Sequence, residues 1–300
     1  MSSSAKLNTA QRLTEFQLKQ VLDVLVTDIK IDHTAGLKSL SCGRRHRHKA
    51  GDIAAQHLHH SHELQEWTSS DGSRLLLIRS GYSARFSVRD FSVDIIQTLQ
   101  TAKIPTLWAL KSPMRDGHSV SLSNVDVLRS LIYQALCLNS NLHAENYIAA
   151  KVAAIRDGVG SGVMLDILGS ILDGMRRVYI IIDIELLNSL EEKTALSSAF
   201  LDLFRKLTDH GSTTMVKVVI VSYTANAFIK MHNESLRSLV VRAYAPAEVM
   251  RMKRLSRKSL HNADINQRRG VDRNSQMHKL LLRGSKESST SGFGVVDGQP

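Results

Sequence analysis

Apolar residues along this chain fall into two alternating patterns. Five short runs are apolar nearly throughout and predict buried strands, over residues 74–80, 104–112, 176–184, 213–223 and 238–244. The segments that separate them repeat apolar residues every three or four positions, which predicts helices. Strands that are apolar on both sides and alternate with helices favour a parallel sheet covered on both faces. The pattern therefore predicts an α/β fold, a doubly wound, mostly parallel five-stranded sheet over residues 62–245.

Two further regions flank this predicted domain. Residues 9–29 carry apolar side chains at helical spacing and predict an amphipathic N-terminal helix. Residues 33–55 are polar and histidine-rich, so residues 1–61 are predicted to be this helix followed by a mobile linker. From residue 246 to residue 300 glycine, serine and basic residues prevail without periodicity, which predicts a disordered basic tail.

Net charge is the first compositional property that bears on function. The formal charge is +11, and much of it lies in the runs RRHRHK (44–49) and RMKRLSRK (251–258). The basic C-terminal tail is either a segment that binds a polyanion, with nucleic acid as the partner, or a solvated extension without a specific partner. Between Tyr244 and Phe293 the tail has no aromatic residue, which argues against base stacking.

Cysteine usage and hydropathy indicate the compartment. Cys42 and Cys137 are the two cysteines, and they predict neither a disulfide framework nor a thiolate metal site. A reducing intracellular location, cytoplasmic or nuclear, is therefore expected. No apolar run approaches the roughly 20 residues that span a bilayer, so no membrane association is expected.

Four histidines lie close together before the first predicted strand: His57, His59, His60 and His62. Imidazole is a common zinc or nickel ligand, so a metal site is one interpretation. No second ligand cluster stands at structural-zinc spacing, which favours the other interpretation, a hydrophilic segment leading into a helix.

The end of the first strand is the first candidate for a nucleotide site. A phosphate loop follows G-x-x-x-x-G-K-[ST], in which backbone N–H groups wrap the phosphates, the lysine reaches the terminal phosphates and the hydroxyl binds Mg²⁺. Counting from Gly81, the positions of the second glycine, the lysine and the hydroxyl hold Phe86, Ser87 and Val88. Arg85 and Arg89 could still attract an anion, but a shortened strand-to-helix turn is the favoured interpretation.

Two other strand ends carry polar side chains. Asp183 ends the third strand, where a P-loop enzyme holds its Mg²⁺, and Glu185 could position a water molecule. The alternative is that Asp183 only caps the following turn. Ser222 and Tyr223 end the fourth strand, where related ATPases carry a residue that senses the terminal phosphate; Tyr223 cannot supply the cation for that role.

The order of these elements resembles the NACHT-type P-loop module of STAND NTPases, in the fungal version with a nephrocystin-3-like N-terminal region. The segments that carry the resemblance are LQEWTSSDGSRLLLIRSG, RRVYIIIDIELL and TTMVKVVIVSY, within residues 64–223. The resemblance implies a P-loop fold with ATP or GTP and Mg²⁺ as ligands. Of the family's motif residues, Gly81 and Asp183 match, whereas the Gly-Lys-Ser/Thr loop and the acidic residues expected at Leu186 and Leu187 do not.

Three functional hypotheses follow. The first is a pseudo-NTPase, a P-loop-like scaffold or regulatory module that acts through protein partners. The second is an active ATPase or GTPase in which Arg85 or Arg89 replaces the lysine and Asp183 binds the metal. The third is association with nucleic acid through the basic tail. Stabilising charge on the transferred phosphoryl group is the dominant catalytic term in phosphoryl transfer, so the missing lysine and hydroxyl favour the first hypothesis.

Overall fold

A computed structural model gives the three-dimensional structure of the chain. It describes residues 29–46, 57–111, 122–138, 160–224 and 238–259, together with residues 19, 22, 23 and 25–27. Side chains are described as far as residue 252, apart from that of residue 46.

The five predicted strands form one sheet. They are β1 (Arg74–Ser80), β2 (Thr106–Ala109), β3 (Arg177–Asp183), β4 (Met215–Ser222) and β5 (Ser238–Ala243). Their order across the sheet is β2-β3-β4-β1-β5, and every neighbouring pair is parallel. The prediction of a parallel α/β sheet is therefore confirmed. Because β4 lies between β1 and β3, the ends of these three strands are adjacent.

Helices cover both faces of the sheet. The described helices with assigned bounds are α1 (His33–His46), α2 (His62–Ser69), α3 (Arg85–Thr101), α4 (Asn124–Leu138), α5 (Ser161–Leu172), α6 (Leu190–Asp209) and α7 (Pro246–Ser259). Helices α1, α2 and α3 pack on one face, and α4, α5 and α6 pack on the other. The chain thus leaves β1 toward one face, through α3, and leaves β3 toward the opposite face, through α6.

Each face of the sheet has its own apolar core, because side chains alternate along every strand. In β1, Leu75 and Leu77 contribute to the core under α4–α6, whereas Leu76 and Ile78 contribute to the core under α1–α3. All four side chains are buried. The continuous apolar sequence of the strands is the consequence of this two-sided burial.

Within the described residues β2 is an edge strand, and a side chain pairs with the backbone on its outer side. The Trp108 N–H donates to the side-chain oxygen Oε1 of Gln134 at 3.0 Å, and Gln134 Nε2 donates to the Trp108 carbonyl at 2.9 Å. Gln134 lies on α4 and is buried. Its amide pairs with the strand backbone as a neighbouring peptide group would, which satisfies two polar groups that an edge strand otherwise exposes.

One lysine is buried inside the sheet. Lys217, in β4, has no exposed surface, and its Nζ donates to the carbonyls of Trp67 at 2.9 Å and Ser70 at 2.5 Å. Both carbonyls lie at the C-terminal end of α2, where a cation is favoured by the helix dipole. Burial, with smaller contributions from Arg177 and Arg74, lowers the pKa of Lys217 to about 7.

The structure corrects two predictions about the regions outside the sheet. The predicted linker over 33–55 contains helix α1, since Leu40 packs in the core beside α3 and Arg44 pairs with Asp94 at 2.5 Å. The predicted disordered tail begins with helix α7, in which Val249 is buried. Residues 47–56 and 260–300 lie outside the described residues. In the predicted N-terminal helix, the described residues from 19 to 27 are helical.

Candidate functional site at the carboxyl ends of the strands

The predicted site residues at the three strand ends lie along one edge of the sheet. Arg79 of β1 is the register partner of Ser222 in β4, and Asp183 of β3 is the partner of Val221. Gly81 follows β1 on the same edge. In open α/β sheets ligands bind beyond this edge, where successive connections leave toward opposite faces. The exits of β1 and β3 toward opposite faces place such a crevice above β4.

The connection after Gly81 is short and does not wrap around a cavity. Gly81 has extended backbone angles, a 3-10 turn covers Tyr82–Ala84, and α3 begins at Arg85. The Ala84 N–H donates to the Gly81 carbonyl at 2.9 Å. This is the shortened strand-to-helix turn predicted from the sequence, and it leaves four residues between strand and helix.

The positions where a phosphate loop carries its glycine, lysine and hydroxyl fall inside α3. Phe86 is 38% exposed, whereas Ser87 and Val88 are buried in the first turn of the helix. Val88 packs in the core under α1–α3. A side chain in that position faces the protein interior and cannot reach a phosphate or a metal ion beyond the sheet edge.

Asp183 is the most buried acidic side chain of the site, with 1% of its surface exposed. Its Oδ1 accepts the Glu185 N–H at 3.1 Å, and its Oδ2 accepts from the Tyr223 hydroxyl at 3.2 Å. The Arg89 guanidinium lies 3.7 Å from the same Oδ2. Burial raises the pKa of Asp183 to about 6, and the charge of Arg89 opposes that rise.

Arg89 and Tyr223 form the other half of this cluster. Arg89 Nη2 donates to the Tyr223 hydroxyl at 2.6 Å, and the guanidinium carbon lies 5.1 Å from the centre of the Tyr223 ring. Burial and the charge of Asp183 raise the pKa of Tyr223, so its phenol stays protonated and can donate to the carboxylate. Arg89, predicted as an anion-binding residue, is therefore paired with an internal anion.

Glu185 is held by a dense set of donors. Its Oε1 accepts from the Ser222 hydroxyl at 2.7 Å, from the Thr224 hydroxyl and N–H, and from the Tyr223 N–H; its Oε2 pairs with Lys193 at 2.5 Å. Burial opposes ionisation of this carboxyl, but the bonds from Lys193, Ser222 and Thr224 lower its pKa. With both oxygens engaged, Glu185 ties β3 to β4 and α6, and its oxygens are not free to orient a water molecule.

Arg85, the second predicted cation, lies on the outside of the turn. Its guanidinium carbon is 3.8 Å from the centre of the Tyr82 ring and 4.2 Å from that of Phe86. Its Nη1 donates to the Tyr82 carbonyl at 2.8 Å. Arg85 thus belongs to an exposed aromatic cluster and not to the Asp183 cluster.

The four predicted histidines do not converge. His57 packs edge-on against Tyr244, with ring centres 5.6 Å apart, and His59 packs on Phe91. His59 Nε2 lies 3.8 Å from a carboxylate oxygen of Asp94. Within the described part of the chain, no three histidine, cysteine or acidic side chains are grouped so that they could hold a metal ion. In the same part of the chain, no helix has the length and hydropathy needed to cross a membrane.

The sequence pattern singles out Asp183, Glu185 and Arg89 one by one but does not show how they are paired. It does not single out Lys193, and it bears on Tyr223 only as a candidate phosphate sensor. The signal for Lys193 is its position in the first turns of α6, the helix that follows the acidic end of β3 in the chain. The pairing of Arg89 with Asp183 has no local signal, because it depends on which strands are neighbours.

Comparisons with protein-family models, with curated proteins and with solved structures find no match to this chain.

Proposed function

We propose that this chain is a P-loop NTPase-like module of the NACHT or STAND type that does not hydrolyse nucleotide and acts as a scaffold or regulator through protein contacts. One observation carries the proposal: Asp183, the carboxylate expected to hold Mg²⁺, is buried and already paired with Arg89 and Tyr223. The parallel sheet with β4 between β1 and β3 supports the fold part of the proposal.

The internal pairing of Asp183 opposes metal binding. Mg²⁺ requires near-octahedral oxygen coordination and keeps several of its waters, so a carboxylate that binds it needs an open side. Here Oδ1 accepts a backbone N–H and Oδ2 accepts a phenol beside a guanidinium. An incoming Mg²⁺ would meet the positive charge of Arg89 within the same cluster, and would have to displace it.

Catalysis would also lack its electrostatic partners. Removing one preorganised donor from a charged transition state typically costs about 100- to 1,000-fold in rate. At this edge the helical positions of Phe86, Ser87 and Val88 supply no cation, and Arg89 is engaged with Asp183. An active site built on Arg89 would require its side chain to leave both Tyr223 and Asp183.

Exposed aromatic side chains beside the turn support a role in protein contacts. Tyr82 is 68% exposed and Phe86 is 38% exposed, and both pack against Arg85. Tyrosine, phenylalanine and arginine are enriched at protein interfaces. The edge that binds phosphate in an active NTPase therefore presents, in this chain, the side chains of a contact surface.

Calorimetric titration with ATP and with GTP, with and without Mg²⁺, tests this proposal when it is paired with a hydrolysis assay. We expect no Mg²⁺-dependent heat, and a hydrolysis rate that is the same for the wild-type chain and for Asp183→Ala. Mg²⁺-dependent hydrolysis that is present in the wild-type chain and absent in Asp183→Ala would instead establish the active-NTPase hypothesis and reject the proposal.

A further inference from the structure

A cavity of about 460 Å³ lies at the outer edge of β2, beside the start of that strand, whereas the Asp183 cluster lies at the carboxyl end of the neighbouring strand β3. It is bounded by the start of α1, the end of α3, β2 itself and α4. The side chains that define its character are those of His33, Lys103, Ile104, Pro105, Trp108 and Tyr133. This volume is in the range of small-molecule sites, which are mostly apolar with a few polar groups.

Three aromatic rings form one side of the cavity and hold one another in place. The His33 ring packs edge-on against Trp108, with centres 5.5 Å apart, and lies 6.2 Å from the Tyr133 ring. The Trp108 indole N–H donates to the His33 carbonyl at 2.9 Å. A wall of this kind offers flat, rigid apolar surface, which favours a planar ligand.

A single charged side chain contributes to the lining formed by the described residues. Burial lowers the pKa of His33, so its imidazole is neutral at neutral pH. The pKa of Tyr133 is raised by the neighbouring Cys137 and by burial, and the pKa of Cys137 is raised by burial, so both stay protonated. The Lys103 ammonium is then the charged group of this lining, and it favours an anion; the carboxylates that act on His33 and Tyr133, Asp32 and Asp23, lie outside the lining.

The edge of β2 itself is poorly suited to a peptide strand. Strand addition needs free backbone N–H and C=O groups along the edge. Gln134 already pairs with both backbone groups of Trp108. A compact ligand that uses the aromatic wall and the cation fits this cavity better than an extended peptide does.

We propose that this cavity binds a small planar carboxylate, an aromatic acid whose ring lies against Trp108 and Tyr133 and whose carboxylate faces Lys103. This inference is independent of the proposed function, because it concerns a different edge of the sheet. The ligand class assigned to the cavity is an anion that carries a flat apolar ring.

Titration of the full chain with naphthoate, followed by ¹H–¹⁵N spectra of the tryptophan indoles, tests the site. The chain has two tryptophans, and the second, Trp67, lies outside the cavity, where its indole N–H donates to the Arg74 carbonyl. Trp67 is therefore an internal reference. We expect naphthoate to shift the Trp108 indole signal and to leave that of Trp67 unchanged. Uncharged naphthylmethanol should bind more weakly than naphthoate does. Cationic naphthylmethylammonium should bind more weakly still.

A matched variant isolates the role of the charge. Lys103 has φ of 56°, in the left-handed region that glycine adopts freely, so Lys103→Gly removes the ammonium without loss of fold. We expect naphthoate to bind this variant about fivefold more weakly, the effect of losing one exposed ion pair, with naphthylmethanol unaffected. Arg251→Met, on helix α7, which follows the opposite edge strand β5 in the chain, should leave both affinities unchanged.

Three results would overturn the inference. One is a Trp108 signal that does not move with any of the three compounds. Another is naphthylmethanol or naphthylmethylammonium binding as tightly as naphthoate. The last is a Lys103→Gly chain that binds naphthoate as the wild-type chain does.

Discussion

Replacing Asp183 by asparagine should stabilise the protein at neutral pH. The side chain is 1% exposed, and burial raises its pKa from an ordinary value of 3.8 to about 6. A pKa difference of this size corresponds to a free energy of about 3 kcal/mol. At neutral pH, burial of the ionised carboxylate lowers the free energy of unfolding by this amount. Asparagine keeps the size of the side chain and an oxygen for the Glu185 N–H, but carries no charge to desolvate.

The sign of the pH dependence follows from proton binding. Between pH 3.8 and about 6 the folded chain binds more protons at Asp183 than the unfolded chain does, so stability falls as pH rises through this window. Above about pH 6 the full cost is present. The advantage of Asp183→Asn over the wild-type chain should therefore grow by about 2 kcal/mol between about pH 4.5 and about pH 7.5.

Urea unfolding of both chains at these two pH values measures the effect. The change with pH in the difference between the chains is informative, because every other titrating group is shared and cancels. Asp209→Asn is the control: this carboxylate is exposed at the end of α6, and its removal should change the free energy of unfolding by less than about 0.5 kcal/mol at either pH.

A difference between wild type and Asp183→Asn that is the same at both pH values would refute this reasoning. It would mean that Arg89 and Tyr223 compensate the carboxylate fully and that burial imposes no net cost. A variant that loses stability relative to wild type as pH rises would show that the ion pair with Arg89 outweighs desolvation.

Three other predictions follow from the buried polar groups. Arg89→Met should lower the free energy of unfolding by about 3 kcal/mol, because it leaves the buried charge of Asp183 unpaired. In a chain that already carries Asp183→Asn, the same substitution should cost less; urea unfolding measures both losses. Gln134→Leu should cost about 2 to 4 kcal/mol in the same assay, since both backbone groups of Trp108 lose their partner. The pKa of Lys217 is about 7 in the folded chain, below its ordinary value of 10.5, so between these pH values the unfolded chain binds more protons. The wild-type chain should therefore gain stability relative to Lys217→Met as pH rises from about 7 to about 10.5. Thermal unfolding of both chains measures this gain.

The sequence by itself determined the elements of the sheet domain and the loss of the phosphate-loop chemistry. Strand and helix periodicity are local properties, so the five strands and the short turn after Gly81 were readable from runs of residues. The absence of a lysine and a hydroxyl after Gly81 is likewise a fact about neighbouring positions. The resemblance to NACHT modules added an expectation of fold that remains a proposal.

The polar segment at 33–55 shows where local patterning misleads. Most of its residues are polar, yet Leu37 and Leu40 lie on one side of helix α1 and pack against the core under α1–α3. Two apolar residues three positions apart are a weak signal in a single sequence. The helix is stabilised by tertiary packing, which supplies most of the stability of short helices.

Only the tertiary structure decided what the site residues do. Strand order sets β4 between β1 and β3, and this arrangement brings Arg89 and Tyr223 to Asp183 and closes the carboxylate against a metal ion. The same order leaves β2 at the edge, where Trp108 borders the cavity. Neither outcome is encoded in local sequence, because each depends on contacts between segments that are distant along the chain and on the desolvation that those contacts impose.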